Sequence, residues 1–190
     1  SIDIAQYPPL KKVYDSPKLL WVRSFAQLYN PTLAVKVLAL LREIYPNATL
    51  CMVGPDSDGS LAAVKALAKE LDVPVSYTGK LTKAQWISLS KDYNIFINTT
   101  NFDNMPVSVM EAMALGFPVV STNVGGLPFL IEDNHNGVLV APNDEQQMTQ
   151  AIIRLMQDPA ARDTIIDNAR RTAEQLDWGQ VKTRWKKVLS

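Results

Sequence analysis

Apolar residues along this chain follow two rhythms that take turns. Six short runs are almost continuously apolar: Leu19–Ser24, Thr49–Val53, Val75–Thr78, Ile95–Asn98, Pro118–Thr122 and Gly137–Ala141. They do not alternate apolar with polar, which is the pattern of strands buried on both faces of a parallel sheet. Between them apolar positions recur at helical spacing. The predicted helices cover 31–45, 59–71, 82–91, 106–115 and 144–157, followed by 159–176 and a last one after Trp178. In the first of these, Leu33, Val37, Leu40, Leu41 and Ile44 fall on one stripe. Tyr45-Pro46 and Asp158-Pro159 set helix boundaries, because the residue before a proline disfavours helical backbone.

Strand–helix–strand alternation with short connections requires parallel pairing and right-handed crossovers. The expected fold is α/β: a doubly wound, mainly parallel six-stranded sheet of Rossmann-like kind. In the order 3-2-1-4-5-6 a ligand sits outside the carboxyl ends of the first and fourth strands, where the winding reverses. Here the first strand ends at Arg23-Ser24 and the fourth at Thr99-Thr100. Residues 1–17 hold three prolines and little periodicity and read as a linker leading into a single domain, 18–190. The chain begins at Ser1, so it is expected to be a piece of something longer.

Bulk properties narrow the function. With 190 residues, 47% of them hydrophobic, the chain can bury one good core. Its formal net charge is zero and no basic run dominates, which argues against a general nucleic-acid partner. Lys182, Arg184, Lys186 and Lys187 read as the wet face of the last helix. Cys51, the single cysteine, excludes an internal disulfide and points to a reducing compartment. No stretch approaches the roughly 18–20 apolar residues of a membrane span, and no signal peptide is expected. The cytoplasm is therefore the expected location.

The segment from Asn101 to Pro118 holds the densest candidate chemistry. Pro106 falls in the first turn of a short helix, where its missing N–H costs nothing. A helix N-terminus offers unpaired amides and partial positive charge, and so suits a phosphate. Asp103 lies just before that start, and Glu111 roughly 7–8 Å along the axis from Pro106 at 1.5 Å per residue. Val109, Met110, Ala112 and Met113 around Glu111 are all apolar, so this acid needs a partner, such as the hydroxyls of a sugar or ribose. Asp103 has the alternative of an ordinary turn or cap. Arg23 could clamp a diphosphate with two hydrogen bonds, or be a surface arginine at a strand end. Gly125-Gly126 admits close approach of backbone to a ligand, or serves turn chemistry alone. Gly79-Lys80 could present backbone to a base, or simply lead into the helix capped by Thr82.

Other features carry less. Asp56-Ser57-Asp58 has a metal-chelating spacing, but between Gly54-Pro55 and Gly59 it reads as a turn and helix start. His135, the only histidine, lies in a polar turn, so no Ser/His/Asp or Cys/His set is available. The turn after the first strand has no glycine, which argues against a nicotinamide dinucleotide.

The stretch Asp103-x-Met105-Pro106-Val107-Ser108-Val109-x-Glu111-Ala112-Met113-Ala114-x-Gly116-x-Pro118-Val119-Val120 resembles the signature of glycosyltransferase family 4 (group 1). Thr122-Asn-Val-Gly-Gly-Leu-Pro and Asn136-Gly-Val-Leu-Val-Ala-Pro are similar to it as well, and the resemblance covers roughly 18–188. It implies a retaining, metal-independent GT-B enzyme using a nucleotide-diphosphate sugar as substrate, with no cofactor. This chain would be the C-terminal, donor-binding half. The acceptor site would lie on an N-terminal domain absent here, through which the protein could touch the inner membrane face. The family's pair of acids falls on Asp103, toward the donor sugar, and Glu111, toward the nucleotide ribose. The amides around Asn104, Met105, Val107 and Ser108 would hold the diphosphate, and the family's strand-end arginine falls on Arg23. Two departures stand out: the first acid is usually Glu, and Asn30-Pro31 stands near the place of a usual lysine. A non-catalytic nucleotide-sugar module, a nucleotide-sugar 2-epimerase and a phosphorylase-like enzyme are the alternatives of the same architecture.

Overall fold

Six parallel strands form one sheet: β1 (Lys18–Val22), β2 (Thr49–Val53), β3 (Val75–Gly79), β4 (Ile95–Asn98), β5 (Val119–Thr122) and β6 (Val138–Val140). Their order is β3-β2-β1-β4-β5-β6, the doubly wound arrangement expected from the alternating pattern. The computed structural model describes the backbone of residues 1–190 and the side chains of all but 180 and 181.

Along every strand but β3, side chains alternate between two covered faces. Leu19, Trp21, Leu50, Met52, Ile95 and Ile97 enter the core on one side; Leu20, Cys51, Val53, Phe96 and Val119 enter the core on the other. This is why the strands are apolar throughout. The first core is completed by α1 (Pro31–Arg42), α2 (Ser60–Glu70) and α6 (Glu145–Gln157). The second is completed by α3 (Lys83–Leu89), α4 (Val107–Ala114) and α7 (Pro159–Gln175), with the single turn α5 (Leu127–Leu130) at its margin. A last helix, α8, spans Trp178–Leu189.

Several expectations need correction. Edge strand β3 is not buried on both faces; all five of its residues are half-buried or exposed. Helix α1 stops at Arg42, so Ile44 falls beyond the apolar stripe and is exposed. The strand before Arg23 ends at Val22, leaving Arg23 and Ser24 in the connection. One-turn α5 was not anticipated, nor were 3-10 turns at Ile4–Gln6, Gln27–Tyr29 and Ser90–Asp92. Helix α8 shows solvent more than a basic face, since Trp178, Trp185, Val188 and Leu189 are exposed as well.

Residues 1–17 are anchored to the domain. Ile2 and Tyr7 are buried, the Leu10 amide donates to the Leu115 carbonyl, and Nη1 of Arg170 on α7 donates to the carbonyls of Tyr7 and Ala114.

Candidate functional site

Because every strand runs the same way, their carboxyl ends and the loops that follow share one edge. Gly79-Lys80, Gly54, Arg23, the loop after Asn98 and the turn Asn123–Gly126 line up there in sheet order. The residues proposed from sequence for the donor site (Arg23, Gly79-Lys80, Asp103–Ser108, Gly125-Gly126 and Glu111) lie on this edge or on α4 behind it, whereas His135 precedes β6 and Cys51 lies within β2.

Arg23 and Asp103, eighty positions apart, form an ion pair through Nη2 and Oδ2. The guanidinium lies over the Tyr29 ring at 4.2 Å from its centroid. Tyr29 is held in turn: its carbonyl accepts from Thr99 Oγ1, which accepts from Trp21 Nε1. The Arg23 Nε is buried without a hydrogen-bond partner. The pair neutralises much of the charge that was expected to face a diphosphate, and it orients both side chains.

Loop 101–106 is fixed by backbone. Asn101 N–H donates to the Leu28 carbonyl at 2.8 Å, and Gly126 N–H to the Asp103 carbonyl at 2.8 Å. The two glycines are needed for this crossing. A Cβ on Gly125 would stand 2.1 Å from the Asp103 oxygen, and one on Gly126 1.5 Å from the Asn104 oxygen. The bare backbone of Gly125-Gly126 is thus occupied by the chain's own loop, and turn conformation is a second need only at Gly125, whose φ is +52°.

Helix α4 starts at Val107, one residue later than expected, with Pro106 as N-cap and no side chain capping it. The amides of Asn104, Met105, Val107 and Ser108 find no acceptor among the described residues, while Met105 and Val107 are about half exposed. Open amides at a helix start form an anion site.

Glu111, a turn further on, is 8% exposed. It has the partner its apolar neighbours demanded, in duplicate: Tyr7 Oη donates to Oε2 at 2.9 Å and Trp86 Nε1 to the same oxygen at 2.8 Å. Burial, and then the Glu111 carboxylate beside it, raise the Tyr7 hydroxyl well above the usual phenol range. Neither Tyr7 nor Trp86 was singled out from sequence. Trp86 lies on α3, which begins just after Lys80 under a Thr82/Gln85 capping box. Gly79 (φ +70°) has open space where a Cβ would go, and its carbonyl accepts from Gly54 N–H at 3.0 Å. Lys80 is exposed.

Beside this edge, a cavity of about 670 Å³ is lined by Gln27, Asn30, Thr32, Asp58, Ser60 and Asn101, with no lysine or arginine in its wall. The Asn30 carboxamide donates to Asn143 Oδ1 at 2.6 Å. Asp56 accepts from Gly59 N–H, and Asp58 from the amides of Gln27 and Ser60, so both acids serve the turn before α2. His135 is exposed.

The model of the glycosyl transferases group 1 family matches residues 5–172. Mycobacterium tuberculosis glycogen synthase is 26% identical over 151 residues, which cover 79% of this chain and 36% of that protein. The chain spans well under half the length of such curated relatives, 44% at most among the first three. Among solved structures, Anabaena HepE in complex with UDP and glucose superposes with a TM-score of 0.86 at 21% identity, over 99% of this chain and 54% of that one. The C-terminal domain of a group 1 family glycosyl transferase (LpcC) from Francisella tularensis superposes at 0.79 and 19% identity, over 92% of this chain and 97% of that one. These likenesses establish one half of a GT-B architecture for the fold. The family model covers most of the chain, and the chain belongs to the group 1 glycosyltransferases.

Proposed function

We propose that this chain is the C-terminal, donor-binding domain of a retaining family 4 glycosyltransferase that moves a sugar from a nucleotide diphosphate to an acceptor held by another domain. One observation carries the reading: along the chain the open amides at the start of α4 fall between Asp103, paired with Arg23, and the buried Glu111. That sequence of groups matches the order of a sugar, a diphosphate and a ribose. HepE, with the same fold, is a UDP complex, and the LpcC domain has the same extent as this chain.

In this reading the diphosphate rests on the amides of Asn104, Met105, Val107 and Ser108, and Arg23 faces the same group. Glu111 takes the ribose hydroxyls, and Asp103 the donor sugar. The base lies toward Gly79-Lys80. As the anomeric C–O bond breaks, negative charge grows on the leaving diphosphate. Preorganised donors at that point lower the barrier, and losing one costs roughly 10²–10³ in kcat. No divalent cation is required, so activity of the full-length protein should survive EDTA.

Calorimetry of the full-length protein with UDP, GDP and ADP and their glucose conjugates tests the reading. Binding of one diphosphate, with transfer that falls about a hundredfold or more in Arg23→Ala, supports it. No nucleotide binding overturns it. A second reading, a nucleotide-sugar module without transfer activity, rests on the wall of the 670 Å³ cavity, where Asn30 faces Asn143 and no cation is present. Binding without transfer by the intact protein would favour it.

A further inference from the structure

Both hydrogen bonds that Glu111 accepts land on Oε2, and Oε1 takes none among the described residues. Neither donor is charged, and no lysine or arginine pairs with this carboxylate among the described residues. A buried carboxylate held by neutral groups alone is costly. Solvating the acid for its own sake would be served as well by donors on both oxygens. Here the two donors meet one oxygen from opposite parts of the chain. Tyr7 comes from the linker and is 1% exposed; Trp86 comes from α3 and is 6% exposed. Each is braced. The Tyr7 carbonyl accepts from Arg170, and the Trp86 ring lies 6.4 Å from that of Phe96, in a tilted pair. Two donors on one oxygen fix the carboxylate plane and leave the other oxygen as its only free acceptor.

We propose that Tyr7 and Trp86 are positioning residues that aim Oε1 of Glu111 at vicinal hydroxyls of a bound ribose, so that the linker takes part in recognising the nucleotide. This rests on the donor-site reading above. It makes ribose selectivity, rather than affinity for the base or the diphosphate, the property that depends on the two donors. A hydroxyl pair donating to a fixed carboxylate oxygen forms charge-assisted hydrogen bonds, and these require the acceptor to stand still.

The test measures dissociation constants of the full-length protein for UDP, GDP and ADP and for their 2′,3′-dideoxy counterparts, with thermal unfolding alongside. Wild type binds the ribose form of its preferred base at least about tenfold tighter than the dideoxy form, the worth of one hydrogen bond to a charged group. Tyr7→Phe and Trp86→Phe each bring that ratio down by several-fold and leave dideoxy binding nearly unchanged. A purely structural role lowers the melting temperature and leaves the ratio intact, which overturns the proposal. Trp86→Phe does not touch the linker, so it decides the matter if Tyr7→Phe does not fold. If Glu111→Ala abolishes the preference and neither donor variant changes it, positioning is refuted while the donor site stands. If wild type binds none of the three ribonucleotides, the donor site falls and the positioning with it.

Discussion

Replacing Gly126 with alanine isolates the contact that holds the loop over the sheet edge. Gly126 has φ −82°, ordinary for alanine, so backbone strain contributes nothing. The new methyl would sit 1.5 Å from the Asn104 carbonyl oxygen, where ordinary contact begins at 3.4 Å. That oxygen is backbone and cannot rotate away. The loop or the turn must give by about 2 Å, far outside what a close-packed contact absorbs elastically. The Gly126 N–H to Asp103 carbonyl bond, at 2.8 Å, is lost in the same movement. Overpacking of this kind costs about 1–3 kcal/mol, a fall in melting temperature of roughly 5 °C for a chain this long. The functional loss should be larger. A displacement of even 1 Å in a positioning element can cost about a hundredfold, and this loop carries Asp103 and the amides that lead into α4. Calorimetry with a nucleoside diphosphate, a transfer assay and thermal unfolding read the three quantities. The variant is expected to keep its fold and lose about two orders of magnitude in kcat/KM. Wild-type nucleotide affinity and turnover in a variant that still loses stability would show that the turn yields instead of the loop, and would refute the claim that this glycine places the site.

Gly137→Ala is the matched control: its Cβ meets the Cγ2 methyl of Ile131 at 2.9 Å, a side chain away from the loop rather than its backbone, so a stability loss of about 1–3 kcal/mol with unchanged nucleotide affinity is expected. Arg162, buried with its guanidinium 3.7 Å from the centroid of the Tyr14 ring, donates to the carbonyls of Leu155 and Met156 at the end of α6. Arg162→Met leaves those acceptors bare and should cost about 1–3 kcal/mol in urea unfolding; no loss would show that water replaces the arginine freely. Burial lowers Lys12 from 10.5 to about 8, so the folded state sheds a proton that the unfolded chain keeps between those values. From this group alone stability rises as pH climbs from about 8 toward 10.5, by no more than about 3 kcal/mol. Wild type minus Lys12→Met in urea at pH 7.5, 8.5 and 9.5 should show the rise; a flat difference contradicts it.

The sheet order was legible because both faces are covered. Covering both faces makes each strand a short apolar block, and the helical stretches between blocks force parallel crossovers. Edge strand β3 departs from that pattern: Val75 and Tyr77 are half-buried while Ser76 and Thr78 are exposed, an alternation its own residues carry over too few positions to stand out. Helix α5, four residues with Pro128 in its first turn, is too short for any periodicity to register. At the site, Arg23, Asp103 and Glu111 could each be picked out, since a charge at a strand end or among apolar residues needs explaining. Their partners could not. Arg23 meets Asp103 across eighty positions, and Tyr7 meets Glu111 across 104. The nearest thing to a signal for Tyr7 was the unmet demand at Glu111, which says that a donor exists without saying where. Gly125-Gly126 offered two meanings, and the crossing backbone of Asp103 and Asn104 adds a third, contact with the chain's own loop, that no local pattern signals.

The charges at this edge have a consequence for how an anion would be held. Arg23 and exposed Lys80 supply two positive charges, Asp103 and Glu111 two negative ones, and Asn30 leaves the neighbouring cavity wall without a cation. The charges of these four side chains therefore cancel where a diphosphate is proposed to sit. Beyond the contact with Arg23, its binding would then come mainly from the amides of Asn104, Met105, Val107 and Ser108 at the start of α4, which are short-range dipoles. Long-range Coulomb attraction is screened over about 10 Å at 0.1 M salt, whereas bonds to amides are formed within contact distance and are screened far less. Raising sodium chloride from about 50 mM to about 500 mM should thus weaken nucleoside diphosphate binding by no more than about threefold. Asn30→Lys should tighten binding at low salt and make it salt-sensitive, because the added cation acts through the screened field. A steep salt dependence in the unaltered protein would mean that cations outside this edge, and not the amides of the loop, hold the phosphates.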